Sequence, residues 1–130
     1  MVNKIDWKYN IWKKGEYIDL WSLNHFVGGV LIARILLFFD LSFWSALSIT
    51  FVVKVAWEIY ELIRNIKEPI GNKILDVVMG IIGFLVMYYL YIKVSFFSKT
   101  TSFIIIFVIW LFLNLWGYVV FVKRTKKLIQ

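Results

Sequence analysis

Cysteine is absent from this chain, and proline occurs only once. Without a thiol there is no disulfide, no thiolate nucleophile and no cysteine-bound metal. A single proline, Pro69, leaves long stretches free of the residue that most strongly breaks helices. Acidic residues are few as well, 8 against 15 Lys and Arg, which gives a formal net charge of +7. Such an excess invites a nucleic-acid reading, but the basic residues sit in the gaps and tails between apolar runs. They form no basic recognition helix and no RNA-binding signature, so nucleic acid is excluded as a partner. Their placement fits membrane topology and anionic headgroups instead. A secretory signal is also missing, because residues 1–17 are polar and aromatic without an apolar core.

What is present is apolar. Hydrophobic residues make up 62% of the chain and aromatics 20%, with 7 Trp, 7 Tyr and 12 Phe. That exceeds the apolar share of a soluble domain and suits lipid-facing surfaces with interfacial belts. Four runs stand out, at about 21–39, 41–63, 74–92 and 103–122. Each is near the ~20 residues needed to cross the hydrocarbon. The expected fold class is all-α: an integral membrane four-helix bundle forming one domain over 18–123, with a basic tail at 124–130. Ahead of it, residues 1–17 mix Trp7, Tyr9 and Trp12 with Lys4, Lys8, Lys13 and Lys14, as an arm lying on the headgroups does.

The gaps carry turn chemistry. Asp40 stands alone in a tight first turn, and Arg64 to Lys73 holds Pro69 and Gly71. Ser95 to Ser102, with Lys93 and Lys99 nearby, makes the third connection. Lys4, Lys8, Lys13, Lys14, Arg64, Lys67, Lys73, Lys123, Arg124, Lys126 and Lys127 fall on one side, and only Lys93 and Lys99 on the other. The positive-inside rule then puts both termini in the cytoplasm, in a multi-pass protein of the cell membrane.

Ionisable residues inside apolar segments are costly and mark function by default. His25 lies on the first run, Lys54, Glu58 and Glu61 on the second, and Asp76 on the third. By the helical rise, all except the deeper Lys54 lie within about 8 Å of the same membrane face. Glu58 and Glu61 are i,i+3 and share a face, with Lys54 one turn deeper as an internal counter-charge. Gly80 and Gly83 follow Asp76 at helical spacing, and Gly28 and Gly29 follow His25. Small residues in such stripes let helix backbones approach closely. Each polar residue has a plainer reading as well. His25 can serve as a satisfied core histidine, and Glu61 as a solvated group at headgroup depth. Lys54 and Glu58 can be a structural pair, and Asp76 a helix cap. Arg34 can snorkel outward, and Asn114 can be interhelical glue.

Three stretches resemble the VanZ-like family of small membrane proteins: "DLWSLNHFVGG" (Asp19 to Gly29), "AWEIYELIR" (Ala56 to Arg64) and "NKILDVVMGIIG" (Asn72 to Gly83). The family pairs an Asp and a His at an early span with a Glu-rich helix end and a following helix that opens with Asp. Asp19, His25, Glu58, Arg64, Asp76 and Gly83 match that pattern. The Asp-to-His spacing is longer here than in the family, Glu61 stands where Gln is common, and Gly80 stands where Asn is common. The resemblance covers about half the chain and implies a role in the cell envelope. Phosphatidic-acid-phosphatase-type enzymes need a second histidine, and membrane di-iron enzymes need many, so a chain with one is neither.

Three functions are compatible with these residues. The first is a non-catalytic bundle that recognises a lipid headgroup or a partner protein. The second is an enzyme on a lipid or lipid-linked envelope precursor, with His25 or Glu58 as general base and Glu61 and Asp76 holding a divalent cation. In that arrangement Asp19, Lys54 and Arg64 join Glu61 and Asp76 as binding residues. A proton-coupled transporter using Glu58 is the third. Membrane lipids are the expected partners in all three, and self-association stays open.

Overall fold

The computed structural model describes residues 19–64, 66 and 68–127, with residues 124–127 described by backbone alone. The expected arm at 1–17 lies outside these residues, as do 128–130 at the end of the basic tail. Among the described residues five helices follow one another: α1 (Leu20–Phe38), α2 (Phe43–Ile63), α3 (Ile70–Lys93), α4 (Ser95–Ser98) and α5 (Thr100–Lys127). No strand occurs among the described residues.

Three of these helices are long and apolar enough to cross a membrane: α1, α3 and α5. This makes the chain a membrane protein. α2 has the length, 21 residues or about 31 Å of helix, but it carries Lys54, Glu58 and Glu61. All three are turned inward and are no more than 7% exposed. The face that α2 leaves open is apolar, with Trp44, Phe51, Val52 and Ile59 more than half exposed.

Helix starts are set by local chemistry. Asp19 caps α1 in a reciprocal box, its carboxylate accepting from the Ser22 amide while the Ser22 hydroxyl accepts from the Asp19 amide. After α1 the chain turns at Asp40, whose φ of 53° is a left-handed conformation that Asp tolerates better than most residues. Ser42 then caps α2 through the Ser45 amide. Pro69 caps α3, so this helix begins at Ile70 and not near residue 74. The third connection is not a plain loop but the four-residue helix α4. α5 runs past the expected end of the last span to Lys127.

α1 is the hub. It packs most extensively on α3 and also touches α5 and α2, while α2 also packs on α3. Two glycine contacts bring α1 and α3 together. A Cβ on Gly29 would collide with the Gly80 carbonyl, and one on Gly83 with the Phe26 carbonyl. Only bare backbone fits at either crossing.

The two ends of the bundle differ. Around Ala33, Ala46, Phe84 and Met87 the core is dry, closed by Phe43 and Tyr88. The Phe43 and Tyr88 rings meet edge to face at 4.8 Å. At the other end a smaller apolar cluster of Leu113 and Val120 packs on Leu20 and Trp21, beside the buried polar residues Ser22, Asn24, His25, Lys54, Glu58, Glu61, Asn72 and Asp76.

Candidate functional site

Three helices build the polar layer from one turn each. His25 lies five residues into α1, Glu58 five before the end of α2, and Asp76 six into α3. By the helical rise those depths are about 7.5, 7.5 and 9 Å. Antiparallel neighbours entering from the same face therefore carry all three side chains to one level. The structure joins them there: His25 Nε2 is 3.9 Å from Glu58 Oε1 and 3.7 Å from Asp76 Oδ2. His25 is 5% exposed, Glu58 7% and Asp76 0%.

Asp76 is not the helix cap that a start near residue 74 allowed. With Pro69 as cap, it sits in the second turn and faces α1. The Ser22 hydroxyl donates a 2.6 Å hydrogen bond to Asp76 Oδ1. This fixes the carboxylate so that its other oxygen turns towards His25. Asn72, one turn before Asp76, donates through Nδ2 to Asp19 Oδ2 at 3.4 Å. Asp19 thus both caps α1 and forms the half-buried rim of the layer.

Lys54 closes the floor. Its ammonium donates to the His25 carbonyl oxygen at 3.0 Å, with Glu58 and Asp76 as the carboxylates nearest in charge. The glycine stripes make room for it, because a Cβ on Gly80 would run into the Lys54 stem and one on Gly28 into its tip. Gly28 and Gly80 therefore shape the site, whereas Gly29 and Gly83 serve helix packing.

Glu61 is not solvated at headgroup depth. It is 6% exposed and accepts from Trp57 Nε1 at 3.0 Å, so the indole shields it on its own helix. Arg64 ends α2 as its C-cap with an exposed side chain, away from the buried trio. Arg34 does not snorkel into water. Only 5% exposed, it donates to the Ser98 carbonyl at 2.8 Å and lies over the Tyr91 ring at 5.2 Å. It thereby caps the carbonyl end of α4. Asn114 is the expected glue, exchanging amide hydrogen bonds of 3.1 Å with Asn24 across α1 and α5.

Among the described residues two sets of side chains bring potential ligand atoms within 4.8 Å of one another: His25, Glu58 and Asp76, and Glu58, Glu61 and Glu68. The expected cation pair, Glu61 and Asp76, falls into different sets, with Glu58 common to both. Glu68 was not anticipated. It precedes Pro69 in a connection that reads as solvated turn, yet its side chain is fully buried beside Lys73 at 3.7 Å. Ser22 and Asn72 were also missed, although Ser22 precedes His25 by three and Asn72 precedes Asp76 by four, both same-face helical spacings. No protein-family model, curated protein or solved structure matches this chain.

Proposed function

We propose that the chain is a four-span membrane protein of the cell envelope that recognises a lipid or lipid-linked precursor through its buried polar layer. In this reading α2 crosses alongside α1, α3 and α5. Its three ionisable residues are tolerated because they face the other helices and not lipid. The polar end then lies in the cytoplasmic leaflet with both termini inside, which the basic residues flanking that end support. The VanZ-like resemblance supports the envelope assignment, since Asp19, His25, Glu58 and Asp76 all belong to the matched stretches and all reach this end.

The observation that carries the proposal is the convergence of His25, Glu58 and Asp76 from three helices into one enclosed site. Glu58, Asp76 and Glu61 make the layer rich in acceptors, which suits a headgroup carrying hydroxyl or amine donors. Asp19 and Asn72 at the rim are the groups such a headgroup meets first. His25 and Glu58 are then the groups placed to move a proton.

Native mass spectrometry of the detergent-purified protein tests this. The expected result is a retained lipid of one headgroup class, lost in His25→Gln and Glu58→Gln while both variants still fold. The near-complete burial of the layer favours a second reading, a scaffold in which the same residues only fix helix register. Unselective lipid adducts, unchanged in both variants while thermal stability drops, decide for the scaffold.

A further inference from the structure

We infer that His25, Glu58 and Asp76 form a binding site for one divalent transition-metal cation. The inference rests on reading the polar layer as a ligand site and names what it binds first.

The spacing of the three side chains is that of a cation site. One atom, His25 Nε2, faces both carboxylates, at 3.9 Å from Glu58 Oε1 and 3.7 Å from Asp76 Oδ2. Both separations are too long for hydrogen bonds. They are close to the spacing that one shared ion imposes. Two ligands about 2.1 Å from a metal stand about 3.4 Å apart at the tetrahedral angle and about 3.6 Å at a trigonal one. The third separation, Glu58 to Asp76, is within 4.8 Å, so closing all three onto an ion takes shifts of at most about an ångström for the ligating carboxylates.

The surroundings have the form of a metal site as well. The Ser22 hydroxyl holds Asp76 Oδ1 at 2.6 Å, which turns Oδ2 towards the imidazole, as outer hydrogen bonds orient ligating carboxylates. The ligands come from three different helices, so binding would tie α1, α2 and α3 together. One imidazole with two carboxylates suits manganese, iron or zinc better than calcium, which takes oxygen ligands alone. Three protein ligands leave a position for water or for a lipid oxygen. Lys54 is the competitor: its ammonium, anchored on the His25 carbonyl, acts on the same two carboxylates.

Manganese(II) provides the probe. The full chain, stripped with chelator in lipid-free detergent, is titrated calorimetrically and then examined by pulsed electron paramagnetic resonance. One site per chain is expected, with nitrogen coupling from a single imidazole. In His25→Gln that coupling disappears. Glu58→Gln and Asp76→Asn, near-isosteric changes, should weaken binding by at least the roughly 10–100-fold seen when outer partners of a metal are lost. Removal of the competing charge in Lys54→Gln should tighten it.

Absence of nitrogen coupling in the unmodified protein overturns the inference whatever the variants do. So does an affinity that Glu58→Gln and Asp76→Asn leave unchanged. Because no lipid is present, the two readings fail separately. Cation binding without any selective lipid sinks only the headgroup reading, and selective lipid without nitrogen-coupled manganese sinks only the metal site.

Discussion

Lys54 on α2 donates to the backbone carbonyl of His25 on α1, at 3.0 Å, through a gap kept open by Gly28 and Gly80. A charged side chain on one helix is thus anchored on the main chain of another, beside the imidazole it neighbours in the site. The glycines of this bundle therefore do two different jobs, and substitution separates them.

Gly29→Ala and Gly83→Ala drive a methyl group into backbone carbonyls, which have nowhere to move without parting α1 from α3. Each should cost about 1–3 kcal/mol, the range of overpacking, despite the helix propensity that alanine adds. At Gly28 the nearest obstacle is the tip of Lys54, 2.9 Å from an added Cβ, and a flexible ammonium can swing aside. Gly28→Ala should be the mildest of the three in reversible unfolding in mixed micelles. Equal losses at all three would contradict the packing described here.

The Ser22–Asp76 bond is buried and, with the carboxylate ionised, charge-assisted, a class worth about 1.5–3 kcal/mol. A double-mutant cycle with Ser22→Ala and Asp76→Ala, which removes the acceptor outright, should return a coupling in that range. Additive losses, within about 0.5 kcal/mol, would show that the two side chains do not act together.

Arg34→Lys should loosen the far end of the bundle while leaving the polar layer alone. Lysine keeps the charge but lacks the planar fork that reaches the Ser98 carbonyl and covers the Tyr91 ring. Faster proteolysis within 94–100, with unchanged manganese binding, is the expected pattern. If the cleavage rate stays at that of the unmodified protein, Arg34 does not hold α4.

Because the chain has no cysteine, a single introduced thiol reports topology without background. With the polar end inside, Asp40→Cys in the first turn should react with a membrane-impermeant maleimide applied to intact cells. Arg64→Cys at the end of α2 should react only after the cells are opened. The reverse pattern inverts the orientation; labelling of both from outside removes α2 from the set of spanning helices.

Much of this was legible in the sequence. Apolar runs located α1, α2, α3 and α5, because continuous hydrophobicity is a plain record of a long helix, whether or not it meets lipid. Helical rise placed His25, Glu58 and Asp76 on one level, since depth depends only on counting residues from a boundary. What failed depended on boundaries and neighbours. An α3 start placed near residue 74 made Asp76 look like a cap; moving it to Ile70 takes the residue to the second turn and full burial. Glu61 stayed open between a solvated group and a binding residue, although its i,i+4 spacing from Trp57 was a readable sign that the indole covers it. Glu68 was hidden in a polar turn, where burial comes from how the loop folds back and not from composition. Arg34 was read as outward-reaching because its acceptor, the Ser98 carbonyl, is main chain, and backbone acceptors carry no residue code.

The central position of α1 bears on how the protein is made. Its polar groups find their partners far downstream: Ser22 bonds to a residue 54 positions later, Arg34 to one 64 later, and Asn24 to one 90 later. During synthesis the first helix therefore emerges before Asp76, Ser98 and Asn114 exist. Ser22 and His25 then wait for Asp76 on α3, Arg34 for the Ser98 carbonyl on α4, and Asn24 for Asn114 on α5. The polar groups of α1 are therefore satisfied in stages, from α3, then α4, with Asn24 served only once Asn114 of α5 is in place.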